Sequence, residues 1–211
     1  MHRESAEAKE STLYVVATPI GNLRDITLRA LDILKSVDVV AAEDTRVASR
    51  LLAHYGIRTR VISLRAHNER RAASSIVSVL AEGGSVALVT DAGTPVVSDP
   101  GALAVAQVRE AGYAVVPVPG PSALTAAMSV SGESAPVVTF CGFLPAKRGE
   151  RRAALIEMML KSELLVFFEA PHRVYDTVTD MAEIFGTLRR ITLARELTKI
   201  FEEVHVCTLG E

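Results

Sequence analysis

The 211-residue sequence holds only two cysteines, no tryptophan and a net charge of -2. Cys141 and Cys207 stand far apart and outside any C-x-x-C pattern, which excludes a disulfide framework and a cysteine zinc site and favours a reducing, cytoplasmic setting. No run approaches the ~18 apolar residues of a membrane span, so no membrane partner is expected. The opening MHRESAEAKES lacks the apolar stretch of a signal peptide, and residues 1–11 read as a disordered tail. A charge so near neutrality cannot hold polyanions over the whole surface, so any nucleic-acid affinity has to come from a local basic patch. Phosphate-binding signatures are missing too. There is no G-x-x-x-x-G-K-[ST], and TPIGNL after the first strand has one glycine where a dinucleotide fold needs three. G-x-S-x-G and H-E-x-x-H are also absent, which removes the common hydrolase and zincin readings.

What is present is an alternation of short β-rich runs with helical patterns, the mark of an α/β fold with parallel strands. TLYVVAT, DVVAAE, RVISLR, SVALVT and YAVVPV read as strands, with helices between them. Residues 12–119 thus form an N-terminal α/β lobe on a five-stranded, mainly parallel sheet. The breaker cluster VPVPGPSA precedes a second α/β lobe, 120–211, with a mixed sheet built from PVVTFCGF, ELLVFFEA, RRITLARE and FEEVHVCTL. The apolar stretches IVSVL and LIEMML are assigned to core. Ser98, Asp99 and Pro100 read as the start of the helix in PGALAVAQVREAG.

In parallel sheets ligands bind beyond the carboxyl ends of the strands. The segments in that position here are TPIGNLRD, EDTR, DAGTPVVSDPG, PGPSA and FEAPHR. One such loop is ordinary punctuation. Several on one sheet edge, with glycine for close backbone approach and proline for rigidity, describe a preorganised pocket.

VATPIGNLRDITLRALDIL, DAGTPVVSDPG, VPGPSALTAA and LVFFEAPHR, in this order, resemble the tetrapyrrole methylase superfamily. TPIGNLRDIT, AEDTR, FFEAPHR and ARELTK narrow the resemblance to its branch that methylates the ribose 2′-hydroxyl of a cytidine in small-subunit ribosomal RNA. The resemblance implies two α/β lobes with S-adenosylmethionine folded in a cleft between them, a homodimer, and ribosomal RNA or the assembled 30S subunit as partner. By motif position it implies cofactor contacts at Pro19, Ala92, Gly93, Thr94, Val97, Ser122, Ala123, Glu169 and Leu197. A mostly apolar wall suits a sulfonium that loses its charge in the transition state. No metal is implied. Members of the branch continue past Gly210 and Glu211, so the second lobe is expected to be incomplete here, with weak activity unless a partner or longer form completes it.

A ribose hydroxyl needs in-line positioning and help with its proton. Glu43, Asp44, Glu169, His172, Glu196 and Lys199 lie near the expected cleft, and His172 and Lys199 are taken as the catalytic candidates. Asp44 fits a helix cap. Glu43 is open between a ligand and an Arg46 partner, and Glu196 and Lys199 between a role in catalysis and a mutual pair. The basic segment KRGERR supplies RNA-binding candidates Lys147, Arg148, Arg151 and Arg152, because cations at a helix start oppose its dipole while a phosphate backbone would favour them. Arg46, with Arg50, Arg70, Arg71 and Arg173, extends that surface. Two other readings compete: a methylase of a tetrapyrrole or other small molecule, and a non-catalytic S-adenosylmethionine-binding protein.

Overall fold

The computed structural model describes residues 7–211. It divides into two compact units, Met1–Ala123 and Leu124–Glu211. Residues 1–6 of the expected tail lie outside the described residues. The rest of that tail is tied down, which corrects the expectation of disorder over 7–11: the amide of Ala8 donates to Ser36 Oγ, that of Lys9 to the Tyr14 hydroxyl, and that of Ser11 to the carbonyls of Gly83 and Gly84.

The first unit is a five-stranded sheet of β1 (Thr12–Val16), β2 (Val39–Ala42), β3 (Arg60–Ser63), β4 (Val86–Val89) and β5 (Ala114–Val118) in the order β3-β2-β4-β1-β5. Every pairing in it is parallel. β2 and β4 are buried on both faces, as continuous VVAA and VALV runs require of central parallel strands. Alternate residues feed two cores. Val16, Val40 and Val89 pack with α1 (Leu28–Ser36) and α2 (Thr45–His54), while Leu13, Ala41 and Leu88 pack with α3 (Glu69–Ala81) and α4 (Ala102–Glu110). The chain therefore leaves β1 and β2 towards one face and β3 and β4 towards the other. β1 and β4 are neighbours, so a crevice opens between their carboxyl ends.

Local chemistry fixes most helix starts. Thr27 caps α1 through Ala30 N, and Asp44 caps α2 through Arg46 N. The expected cap of α4 is corrected: Gly101 stands at that position with φ +129°, and Glu69 Oε1 accepts from both Gly101 N and Leu103 N at 2.9 Å. A carboxylate 32 residues upstream does what Ser98 and Asp99 were expected to do.

Helix α5 (Ala123–Val130) carries the chain from the last residue of the first unit into the second, which contains a parallel pair, β6 (Val138–Phe143) with β7 (Leu164–Phe168), and an antiparallel pair, β8 (Arg190–Arg195) with β9 (Glu203–Thr208). Both kinds of pairing occur as expected, but in two separate pairs and not in one mixed sheet. Helices α6 (Arg148–Met158) and α7 (Val174–Phe185) close a small core of Leu144, Leu155, Met181 and Leu209. LIEMML corrects in part: Leu155 is buried, but Ile156, Met159 and Leu160 face outward.

The polar centre of this unit is Asp180 of α7, 1% exposed, which accepts from Arg148, Arg151 and Arg152 of α6. Burial pushes this carboxyl up, yet the hydrogen bonds from Arg152, Arg151 and Arg148 prevail and hold it below the ordinary carboxylate value. Its contribution is present above the unfolded carboxylate range and lost as pH falls through the lower native value. Asp180→Ala would leave the buried Arg151 guanidinium without its counter-charge. Urea unfolding of the second unit at neutral pH is expected to show a loss of about 3–5 kcal/mol.

Candidate functional site

The loops after β1, β4 and β5 meet at the carboxyl edge of three adjacent strands. Thr18 and Gly93 exchange two main-chain hydrogen bonds, Thr18 N to Gly93 O at 2.9 Å and Gly93 N to Thr18 O at 3.0 Å. The buried Thr18 hydroxyl adds a bond to Thr90 O at 3.1 Å. On the other side Ala17 N donates to Val118 O, and Thr94 Oγ1 donates to Pro121 O at 3.2 Å. These bonds join TPIG, DAGTPV and PGPSA into one surface across the β1–β4 crevice.

Glycine matters at two points of that surface. Gly93 has φ +83°, a region costly for any residue with a Cβ. A Cβ on Gly120 would stand 3.1 Å from Ala17 Cβ, a tight contact that would push the β5 loop off the end of β1 by a few tenths of an ångström. Backbone strain concentrates nearby. Val96 at φ +75° and Ser98 at φ +66° are two of the five non-glycine residues with positive φ among the described residues. Glu196 at +52° and Thr198 at +68°, in the RELT turn of the second unit, are two more. A β-branched residue in that region costs of order 1–3 kcal/mol, and such strain gathers where a loop must hold one shape. In the second unit Glu196 and Lys199 pair at 3.2 Å.

Of the sequence-predicted cofactor residues, Pro19, Ala92, Gly93, Thr94, Val97 and Ser122 belong to the three joined loops of the first unit, and Ala123, the last residue of that unit, opens α5. Gly93 and Pro19 are buried, whereas Ala92 and Val96 are open to solvent. Glu169 and Leu197 lie in the second unit. The Glu169 carboxylate is already engaged: it accepts from Ala170 N at 2.8 Å and Thr177 Oγ1 at 2.7 Å, and Arg173 Nε lies 3.3 Å away. It anchors the turn Pro171–Arg173. His172 is exposed on that turn.

Several cations have structural duties. Arg151 is 4% exposed and committed to Asp180, which corrects its assignment to RNA. Arg148 and Arg152 share Asp180 and Glu183, and Lys147 pairs with Glu150. Arg46 pairs with Asp44 at 2.6 Å and not with Glu43, which closes that reading of Glu43.

Glu43, a candidate from the sequence, belongs to a cluster with Asp91 and Asp99 one strand over that sequence reasoning missed. Glu43 directly follows β2, and its Oε2 accepts from Thr90 Oγ1 at 3.3 Å. Asp91 accepts from Asp44 N at 3.0 Å. Burial, then Asp91 and Asp99, push the Glu43 carboxyl up. Burial likewise raises Asp99, with Asp91 adding to it against a hydrogen bond from Thr90. These acids belong to segments 47 residues apart, and only the β2–β4 register, Ala42 against Val89, brings them together.

The family model for tetrapyrrole (corrin/porphyrin) methylases matches residues 12–211. The chain belongs to this family. Tetrapyrrole methylases of solved structure share the fold: a cobalt precorrin-4 methyltransferase, at TM-score 0.68 and 18% identity, is matched over 95% of this chain and 86% of its own. Uroporphyrin III C-methyl transferase from Thermus thermophilus matches at TM-score 0.67 and 18% identity over 95% and 89%. Far nearer in sequence are proteins named ribosomal RNA small subunit methyltransferase I. That of Neisseria meningitidis serogroup B is 51% identical over all of this chain and 72% of its own length. That of Vibrio cholerae is 50% identical over 94% and 69%, and that of Escherichia coli O157:H7 is 46% identical over 99% and 73%. This tetrapyrrole methylase is therefore a methyltransferase, and none of its described helices is long and apolar enough to cross a membrane.

The raised Glu43 carboxyl gives a pH-dependent prediction. Because its native value lies above the unfolded one, its contribution favours the fold below the unfolded value and is lost as pH rises through the native value. Glu43→Gln, which keeps an oxygen acceptor for Thr90, is expected to raise stability at pH 7. Urea midpoints measured down into the carboxylate range should show that gain shrinking towards zero.

Proposed function

We propose that this chain transfers the methyl group of S-adenosylmethionine to the ribose 2′-hydroxyl of a cytidine in small-subunit ribosomal RNA. The observation that carries the reading is the convergence of TPIG, DAGTPV and PGPSA on one sheet edge, in a chain 51% identical to a ribosomal RNA small subunit methyltransferase I over its whole length. When bound, adenosylmethionine supplies an activated methyl on a sulfonium. The three loops suit that group, because main-chain atoms, Ala92, Val97 and Ala123 offer a largely apolar wall, while the one carboxylate at its start, Asp91, accepts from Asp44 N. Pro19, Gly93, Thr94 and Ser122 complete the first unit's share. Glu169 and Leu197 contribute from the second, Glu169 through the main chain that its carboxylate holds in place.

His172 is assigned to accept or relay the 2′-hydroxyl proton, and Lys199 to meet nearby negative charge once it leaves Glu196. Lys147, Arg148, Arg152 and Arg46 are assigned to phosphates, Lys147 in exchange for the exposed Glu150, Arg148 and Arg152 for the exposed Glu183, and Arg46 for the half-buried Asp44. A homodimer in the cytoplasm, acting on the assembled 30S subunit, is part of the same proposal.

Calorimetry is expected to show binding of adenosylmethionine and adenosylhomocysteine. Labelled methyl should pass to small-subunit ribosomal RNA and not to a free tetrapyrrole. Label on the tetrapyrrole, or binding with no transfer to either acceptor, would replace this reading with one of its two competitors. His172→Ala is expected to lower turnover about 10²-fold while leaving adenosylmethionine affinity unchanged.

A further inference from the structure

The basic residues of the first unit are not spread evenly. Residues 58–71 carry five arginines and one glutamate in a chain whose net charge is -2. That glutamate, Glu69, is turned to the start of α4, where it accepts two main-chain hydrogen bonds. The segment contains β3, the edge strand of the sheet, and the first turn of α3.

A groove lies between these two elements. Arg60, Arg71, Asn68 and Ser63 line it over an apolar floor that includes Val39 and Ile62, and no carboxylate lines it. Asn68 Oδ1 is used up by the amide of Arg65 at 2.7 Å, so its side chain has only its NH2 to offer. Arg60 and Arg71 are exposed, and neither takes part in an ion pair among the described residues. This separates them from Arg46, Arg148, Arg151 and Arg152, all of which are matched by acids.

Donors on the rim, an apolar floor and no acid make a surface for an anion that also carries a flat or apolar part. The backbone phosphates of an RNA strand, with sugar or base against Val39 and Ile62, have that chemistry. The groove ends at Ser63, on the same carboxyl edge as the joined loops. β3 is two strand spacings, about 10 Å, from β4. We infer that the β3–α3 groove, through Arg60 and Arg71, is a backbone-binding track for the RNA substrate. The inference rests on the reading that RNA is the acceptor.

The test is binding of a single-stranded RNA oligonucleotide across a salt series, for the full chain, R60Q/R71Q and R60K/R71K. Both side chains are exposed, so unchanged urea midpoints are expected for the variants. For R60Q/R71Q the slope of log K against log salt should fall in magnitude by about 1.4, and affinity at 0.1 M salt by about 25-fold, as two lost phosphate contacts imply. R60K/R71K should keep most of the slope, and adenosylmethionine binding should be unchanged in both. An unaltered slope in R60Q/R71Q, with RNA still bound by the parent chain, overturns the groove alone. No RNA binding by the parent chain overturns both the groove and the RNA reading. Equal competition by polyglutamate would also overturn it, in favour of an acidic protein partner.

Discussion

Two main-chain hydrogen bonds between Thr18 and Gly93 hold the candidate site together. β1 sends the chain to one face of the sheet and β4 sends it to the other, so their loops would part if nothing joined them. The reciprocal pair closes that divergence at one point, and the Thr18 hydroxyl secures it to the end of β4. Everything further along depends on it: Gly93 takes φ +83°, which its lack of a Cβ allows, Thr94 then reaches Pro121, and Gly120 sits against Ala17. The far end of the long loop is fixed separately by Glu69. Between these anchors Val96 and Ser98 are held at positive φ, a shape they would not keep alone.

Charge is arranged differently in the two units. In the second, Asp180 gathers three arginines, and the pairing of α6 with α7 is as much ionic as apolar. A buried pair of this kind adds little net stability over apolar packing but makes its own disruption costly. In the first unit Glu43, Asp91 and Asp99 collect at the ends of β2 and β4, while Arg60 and Arg71 lie at the β3 edge without an ion pair among the described residues. Opposite charges thus occupy different parts of one sheet, compatible with a polyanion that is held at the rim and kept off the strand ends carrying Glu43, Asp91 and Asp99.

Much of the first unit was legible because its signals are local. Buried runs such as VALV announce central strands, and Asp44 before TRVASRLL announces a cap. The loops were legible as a set through their glycine and proline content. What escaped were partners distant in sequence: Glu69 capping α4, Thr90 donating to Glu43, and Asp180 under the arginines of KRGERR. The dipole of its own helix argues against the cations of KRGERR, while the compensating acid sits on another helix. One signal existed for it. Asp180 falls in helical phase with Thr177 and Met181 on the buried face of α7, and a carboxylate in that phase calls for a buried cation.

The central claim is that the joined loops of β1, β4 and β5 are a preformed cradle for the adenosyl donor. Amide hydrogen exchange on the full chain, with and without S-adenosylmethionine, tests it most directly. The account predicts slow exchange at Thr18 and Gly93 before ligand is added, and further protection on binding confined, within the first unit, to residues 17–21, 91–98 and 118–123. Fast exchange at Thr18 and Gly93 in the free protein, or ligand-induced protection that spares these loops, would contradict it.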